Sequence, residues 1–435
     1  MKEFKLPQQF LLGTATASLQ IEGGDQNNNW YRWSELKKIK DGSSSIRADD
    51  HYNRVNEDIA LMKELNHQTY RMGIEWSRIE PSEGRFDEKA ITHYRNEIEQ
   101  LIKSGIRPLV TVYHFSHPLW FEDKGGWENP QSVETFCRYT AYLAEKLGDL
   151  VTDWITINEP NVYAFKGYME GSWPPGKSNI KALFSCLRNM VLGHIRGYKI
   201  IHETRKKFGY KGETLVGVAN HIRVMDPKRN NLLDRFSASA IDYLFHHTTI
   251  AGMTTGKMVF PLGHNNYPLG KGKYYDFFGI NYYSRDILSF VLDPGKLFAK
   301  IEVKEGVPLN NLGWEIYPEG LYRICKKYYE KYKAPIFITE NGICDADDSL
   351  RGDYLADHLE VVARLIEQGV PVERYYHWTL MDNFEWIEGE SARFGLVKND
   401  FQTQKRTIRK SGWLFADIAK AKGLTKELIK KYSTG

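Results

Sequence analysis

Only four cysteines stand in the 435 residues, Cys137, Cys186, Cys325 and Cys344, and none forms a Cys-x-x-Cys pair. That argues against a disulfide frame or a thiolate zinc site and fits reduced thiols in a reducing compartment. Long apolar runs are missing too. No segment approaches the roughly 20 residues needed to cross a bilayer, and residues 1–9 lack the apolar stretch of a signal peptide. The expectation is a cytoplasmic chain with no membrane partner. Charge of one sign is also scarce. Against 55 acidic residues there are 59 basic ones, a net charge of +4, too small an excess to imply nucleic acid as a partner. The local run Lys420, Lys422, Lys426, Lys430 and Lys431 reads as the solvated face of a terminal helix. There is no His-Glu-x-x-His or dense carboxylate cluster to hold a metal. Gly23-Gly24 and Gly125-Gly126 lack the strand–Gly-x-Gly-x-x-Gly–helix setting of a phosphate cradle. No cofactor or metal is therefore expected. The pair His246-His247 lies on a stretch read as helical, where adjacent residues diverge, and reads as packing or capping. No linker, repeat or low-complexity run divides the chain, so residues 1–435 are read as one domain.

What is present is an alternation. Short β-rich apolar runs fall at 10–18, 69–76, 108–115, 151–158, 215–221, 277–283, 336–340 and 374–380. Between them lie helical stretches at 51–65, 89–104, 132–147, 188–208, 319–333 and 352–369. Parallel strands need crossover connections, so this order predicts a parallel sheet. Eight such units predict an α/β fold, a single (β/α)8 TIM barrel with extended βα loops. In the stretch 89–104, Ile91, Tyr94, Ile98, Leu101 and Ile102 share one face and the charged residues take the other.

The C-terminal ends of the runs carry the chemistry. In order they bear Gln20 with Glu22, Arg71 with Glu75, His114, Asn158 with Glu159, Asn220 with His221, Asn281 with Tyr283, Glu340 with Asn341, and Trp378 followed by Asp382 and Glu385. Catalytic groups of barrel enzymes gather at that face from several strands. Two of these ends are carboxylates closing apolar runs, Glu159 in Asn158-Glu159-Pro160 and Glu340 before Asn341-Gly342. A buried carboxylate is costly without a partner, and a facing pair is what glycosidic cleavage uses. Glu340 is the candidate nucleophile, with Arg71 and Tyr283 placed to hold it ionised. Glu159 is the candidate acid/base and must carry a proton near neutral pH, which burial and its neighbour's charge favour. A retaining enzyme sets the two carboxyls about 5 to 5.5 Å apart. Gln20, His114, Asn158 and Glu385 suit sugar hydroxyls, and Trp314, Trp378 and Trp386 supply aromatic faces. Aromatics make up 13% of the chain, and most of them read as core.

At this point the chain resembles glycoside hydrolase family 1, the β-glucosidase and β-galactosidase family, over nearly its whole length. Phe10-Leu11-Leu12-Gly13-Thr14-Ala15-Thr16-Ala17-Ser18-Leu19-Gln20-Ile21-Glu22-Gly23 is similar to the family's N-terminal signature with its sugar-binding Gln. Asn158-Glu159-Pro160 resembles the acid/base motif, and Ile338-Thr339-Glu340-Asn341-Gly342 the nucleophile motif. Asn281-Tyr282-Tyr283-Ser284 resembles the strand whose second Tyr contacts the nucleophile. Asp382-Asn383-Phe384-Glu385-Trp386, followed by Arg393-Phe394-Gly395-Leu396, resembles the glycone-binding segment. Gly313-Trp314-Glu315-Ile316-Tyr317-Pro318 resembles the loop whose Trp forms the leaving-group platform. The resemblance implies a retaining, exo-acting β-glycosidase acting on small β-glycosides or short oligosaccharides, and leaves homo-oligomerisation open.

Two departures qualify it. Phe115-Ser116 stands where the family usually shows Trp-Asp, and Glu390 stands where many members place an aromatic. Both point to a relaxed glycone preference, with Glu390 expected to face the sugar. Three alternatives are weaker. A 6-phospho-β-glycosidase would carry Ser and Lys, where Glu385 would instead repel a phosphate. A non-catalytic sugar-binding relative would lack a carboxylate, and both are here. A thioglucosidase would lack the acid, and Glu159 is present.

Overall fold

In the computed structural model, which describes residues 1–433, eight parallel strands hydrogen-bond in chain order and the last closes on the first. They are β1 (Leu11–Ala15), β2 (Thr69–Gly73), β3 (Arg107–Tyr113), β4 (Asp153–Asn158), β5 (Leu215–His221), β6 (Phe278–Tyr282), β7 (Ile336–Asn341) and β8 (Val372–Trp378). Helices lie between them, and the fold is a (β/α)8 barrel. Each strand corresponds to one of the eight β-rich runs. The first run stops short at Ala15, because the chain turns into a helix at Ser18–Glu22. Close pairing of β1 with β2 is allowed by Gly13, where a Cβ would overlap the Thr69 carbonyl.

The helices follow the amphipathic logic with three differences. Glu88–Lys103 buries Ile91, Tyr94, Ile98 and Leu101, and Asp87 caps it by accepting from the amides of Lys89 at 2.7 Å and Ala90 at 3.1 Å. Ile102, expected on the buried face, is exposed in the last turn. Glu97, expected on the wet face, is buried and bonded to His51 Nε2 at 3.1 Å. The helix expected over 188–208 starts much earlier, at Ile180, where Asn179 Oδ1 accepts from Lys181 and Ala182. An N-cap side chain, not apolar periodicity, sets that start. Of the two histidines, His246 is buried and bonded to Asp242 Oδ1 at 2.8 Å.

One feature of the fold is absent from the periodicity. Beyond the ends of β5 and β6 the chain adds a three-stranded sheet of Val224–Pro227, Arg285–Phe290 and Ala299–Glu302. These strands are short and partly exposed, so they lack a full alternating pattern. With the helix Leu232–Asp242 they enclose a small apolar cluster of Ala238, Ile241, Leu288 and Ala299. This unit forms an outer wall at the mouth of the barrel.

At the opposite, N-terminal end the barrel is closed by charge. Asp153 on β4 accepts from Arg374 Nη1 on β8, across the ring, at 2.6 Å and from Arg107 Nε on β3 at 2.6 Å. The Arg374 guanidinium also lies 4.1 Å above the Phe337 ring of β7. Arg374 is buried, whereas Arg107 is partly exposed and contributes less. Asp153→Ala would leave a buried cation without its carboxylate, at a cost of about 3–5 kcal/mol. Urea unfolding should show the midpoint fall by that amount divided by the slope, with the slope itself unchanged. An unaltered midpoint would mean that this floor contributes nothing to stability.

Candidate active site

The C-terminal strand ends open into a cavity of about 560 Å³. Its inner end is lined by His114, Asn158, Glu159, Tyr283, Glu340, Trp378 and Glu385, with Trp314, Trp386, Phe115 and Phe394 beside them. The organiser is Arg71, whose position on β2 turns its side chain into the barrel. It is completely buried, and it spends its donors on three strands. Nε donates to Thr111 Oγ1 of β3 at 3.1 Å and Nη2 to Asn158 Oδ1 of β4 at 2.6 Å. Nη1 donates to the Thr339 carbonyl of β7 at 3.1 Å and to Glu340 Oε1 at 2.5 Å. The second oxygen of Glu340 accepts from the Tyr283 hydroxyl at 2.6 Å. Both oxygens of Glu340 are thus engaged, one of them by a cation.

Glu159 reaches the cavity by a different device. β4 ends at Asn158, and Glu159 takes a left-handed conformation with φ 38°, just ahead of Pro160 at the first position of a short helix. Its amide donates to the Ala219 carbonyl at 2.8 Å. Oε1 accepts from Asn281 Nδ2 at 2.8 Å and lies 3.0 Å from His221 Nδ1. Asn281 Nδ2 also reaches Asn158 Oδ1 at 3.1 Å, and its own Oδ1 accepts from Thr339 at 2.6 Å. Glu159 and Glu340 are therefore tied to one network through Asn281, Asn158 and Arg71.

That network also fixes a tautomer. Arg71 and Asn281 both donate to Asn158 Oδ1, so the Asn158 amide must present Nδ2 to His114 Nε2, 2.9 Å away. Nε2 then accepts, and the proton of the neutral ring sits on Nδ1. His114 Nδ1 is buried without a protein partner, as is Gln20 Oε1. Gln20 stands behind the cavity, with Nε2 3.2 Å from Glu385 Oε2, which also accepts from Trp378 Nε1 at 3.3 Å. A buried donor and acceptor left open call for a ligand rich in hydroxyls. Trp314 packs edge-on to Tyr283 with ring centres 5.9 Å apart, across from this polar end.

The glycosyl hydrolase family 1 model matches residues 2–424. The chain belongs to glycosyl hydrolase family 1. It is 36% identical to a β-glucosidase A from Thermotoga maritima over 97% of this chain and 99% of that protein. A β-galactosidase from Pyrococcus woesei is 30% identical over 99% of this chain and 100% of its own. Among solved structures, a β-glycosidase from Pyrococcus horikoshii superposes with a TM-score of 0.91 at 35% identity, covering 100% of this chain and 99% of that one. The Thermotoga maritima β-glucosidase bound to glucoimidazole gives 0.89 at 34% identity, covering 97% and 100%.

The inner end of this family 1 site gathers three carboxyls, Glu340, Glu159 and Glu385, with Arg71 bonded to the first. The Glu340 carboxyl is raised to about 7, chiefly by burial, against the pull of Arg71 and with the Glu159 charge adding to the rise. Burial likewise pushes Glu385 up to about 8, against hydrogen bonds from Trp378 and Gln20, with further lifting by Glu340. Two donors on Glu340, one cationic, favour keeping negative charge there. Burial and then Arg71 hold His114 well below the usual imidazole range, so it is neutral. Burial beside Glu340 keeps the Tyr283 phenol protonated as a donor.

The departures from the family pattern separate in this family 1 structure. Phe115 lines the cavity, its ring centre 5.1 Å from that of Trp386. Ser116 does not; its hydroxyl donates to the buried Glu75 at 2.8 Å. Glu390, expected to face the sugar, lies outside the cavity lining, and its amide donates to Asp41 Oδ2 at 2.7 Å. Glu22 and Asp382, also at strand ends, are taken up by Arg78 at 2.7 Å and Arg409 at 2.8 Å. Asn281 and His221 touch Glu159 and were read from the sequence only as strand-end polar groups. The available signal was that Asn281 sits two residues before Tyr283, on the same face of a strand.

The raised carboxyl of Glu385 couples the site to stability. Between its ordinary 4.5 and about 8, the folded protein holds a proton that the unfolded chain has released. Stability therefore falls as pH rises through that window. Glu385→Gln removes this loss. Its stability relative to the parent should be constant below about pH 4.5 and grow above it, by about 2 kcal/mol at pH 8 once cavity water offsets part of the burial. Thermal unfolding across the range reads this out. A pH-independent difference would mean Glu385 is already ionised in the folded state.

Proposed function

We propose that this family 1 hydrolase removes single terminal β-linked sugars, glucose foremost and also galactose or fucose, from the non-reducing end of small glycosides. The observation that carries it is Glu340, clamped by Arg71 and Tyr283 in the same cavity as Glu159. The names of the Thermotoga and Pyrococcus relatives support glucosides and galactosides alike. In the first step the Glu340 carboxylate attacks the anomeric carbon as the glycosidic C–O bond breaks. Glu159 gives its proton to the leaving oxygen, and a covalent glycosyl-enzyme forms. In the second, Glu159 takes a proton from water, the water oxygen attacks the same carbon, and Glu340 is released. Two inversions give net retention. His114 Nδ1–H, Gln20 Oε1 and a protonated Glu385 hold glycone hydroxyls, with Trp378 and Trp386 around the ring and Trp314 beside the leaving group. The whole chain acts as one catalytic domain. The four free, buried thiols support a reducing, cytoplasmic setting.

Two variants test the assigned roles by different signatures. Glu340→Gly should lose several orders of magnitude in turnover and regain it with azide, giving the α-azide product. Glu159→Gln should slow glycosides with poor leaving groups far more than activated aryl glycosides, which need little protonation. A first-formed product of inverted configuration from the unaltered enzyme would refute the scheme.

Glycone choice follows from Phe115, whose ring has no N–H to offer a hydroxyl. One neutral hydrogen bond is worth about 0.5–1.5 kcal/mol, up to about tenfold in selectivity. Nitrophenyl β-glucoside, β-galactoside and β-fucoside should therefore have kcat/KM values within about one or two decades of each other. A preference above roughly a thousandfold would show that other contacts decide.

A further inference from the structure

Glu75 is buried two residues past β2, and its carboxyl is met by hydroxyls, with no cation in bonding distance among the described residues. Ser18, three residues past β1, donates to Oε2 at 3.0 Å. Ser116, three residues past β3, donates to Oε1 at 2.8 Å. Ser77 Oγ lies 2.7 Å from the same Oε1 and 2.6 Å from Asp25 Oδ2. All three serines are buried, so one carboxyl joins the loops that leave three successive strands. A serine hydroxyl has a single hydrogen, and Ser77 can therefore donate to only one of its two carboxyls. Asp25 also accepts from the Asn27 amide at 3.1 Å and from Asn28 Nδ2 at 2.8 Å. Burial and then the Asp25 charge raise the Glu75 carboxyl, so the proton that completes the set belongs to Glu75.

The segments tied in this way carry the open sugar contacts. Gln20 follows Ser18 by two residues in the helix Ser18–Glu22, and His114 precedes Ser116 by two. Gln20 Oε1 and His114 Nδ1 are the buried acceptor and donor left without protein partners. Their side chains are held from other strands, Gln20 Nε2 by Asn383 Oδ1 at 3.1 Å and His114 Nε2 by Asn158 Nδ2 at 2.9 Å. What holds their two backbones to each other is Glu75. Phe115, between His114 and Ser116, has a left-handed φ of 67° that its surroundings must maintain. The family's usual Asp at 116 would set a second buried carboxyl against Glu75. The tie therefore belongs to this chain's own departure from the pattern.

Resting on the β-glycosidase reading above, we infer that Glu75, through Ser18 and Ser116, is a positioning residue of the glycone site that sets Gln20 and His114 at the spacing one sugar ring requires. The test is nitrophenyl β-glucoside and its analogues lacking each ring hydroxyl in turn. Glu75→Ala should lower kcat/KM on the full glucoside about ten- to a hundredfold. That loss should shrink at least about fivefold on the deoxy substrates whose missing hydroxyl met Gln20 or His114, and persist on the others. Glu75→Gln keeps the tie, because its NH2 can donate to Ser77 and Ser116 while its oxygen accepts from Ser18. It should stay within about threefold of the parent. Ser116→Ala and Ser18→Ala each cut one tie and should show the same substrate pattern at about three- to tenfold. They decide the matter if Glu75→Ala fails to fold. Calorimetric binding of deoxynojirimycin, a glucose-shaped amine, separates this role from the reaction. If no form hydrolyses any glucoside, yet Glu75→Ala binds the amine at least about tenfold more weakly than Glu75→Gln, the positioning role stands and the β-glycosidase reading falls. Equal losses on every glucoside, parent kinetics in the folded variants, or a Gln variant as impaired as the Ala variant would overturn the inference.

Discussion

Everything at the inner end depends on one buried cation. Arg71 is wholly buried once the barrel closes, so its donors must find acceptors in the interior. They find them on β3, β4 and β7, strands spaced around the ring. The guanidinium is thereby a cross-brace as well as a counter-charge. Its planar fork sets where Glu340 and Asn158 stand relative to each other, and Asn158 in turn orients His114 and meets Asn281. A Lys in its place would supply charge without that geometry.

Two buried carboxyls near one cation explain why the site is both reactive and costly. Burial raises both Glu340 and Glu385. Arg71 and Tyr283 oppose that at Glu340 by donating to its two oxygens. The difference suits the chemistry, because a nucleophile needs charge while a hydroxyl-binding carboxyl can keep its proton. The same arrangement opposes folding as pH rises, since the unfolded chain can ionise Glu340 and Glu385 freely. Stability at this end is supplied from elsewhere, notably the apolar clusters around the strands and the Asp153–Arg374 floor.

How much could be read without the structure follows from where each signal is stored. The eight strands are local runs of β-rich residues, so the barrel was legible, and the groups at their ends came with it. Glu159, Glu340, Arg71 and Tyr283 announced themselves as polar residues closing apolar runs. Asn281 was named but not assigned, because its task is to meet Glu159 from another strand, and that pairing is set by barrel closure. The destination of Glu390 was misjudged for a related reason. Position in a family pattern says which corner a residue is near, not how the backbone there is held, and here Asp41 takes the Glu390 amide. The outer sheet was missed outright, since half-exposed strands of four to six residues leave little periodic trace.

Three cavity-lining residues, Phe115, Glu159 and Trp386, have φ of 67°, 38° and 50°, in the left-handed region that non-glycine residues avoid. Such conformations cost about 1–3 kcal/mol each and persist only where the surroundings hold them. Each has its own hold. The Phe115 carbonyl accepts from Trp30 Nε1 at 3.2 Å and Asn29 Nδ2 at 3.1 Å. Glu159 is fixed between its amide bond to Ala219 and the ring of Pro160. The Trp386 ring packs against Trp30, Phe115 and Trp173 with centres 4.9 to 5.9 Å apart. The strain therefore falls where side chains must turn into the cavity from a backbone that is leaving it. A site held this way reorganises little when charge develops on the sugar, which is the condition for strong electrostatic stabilisation of a transition state.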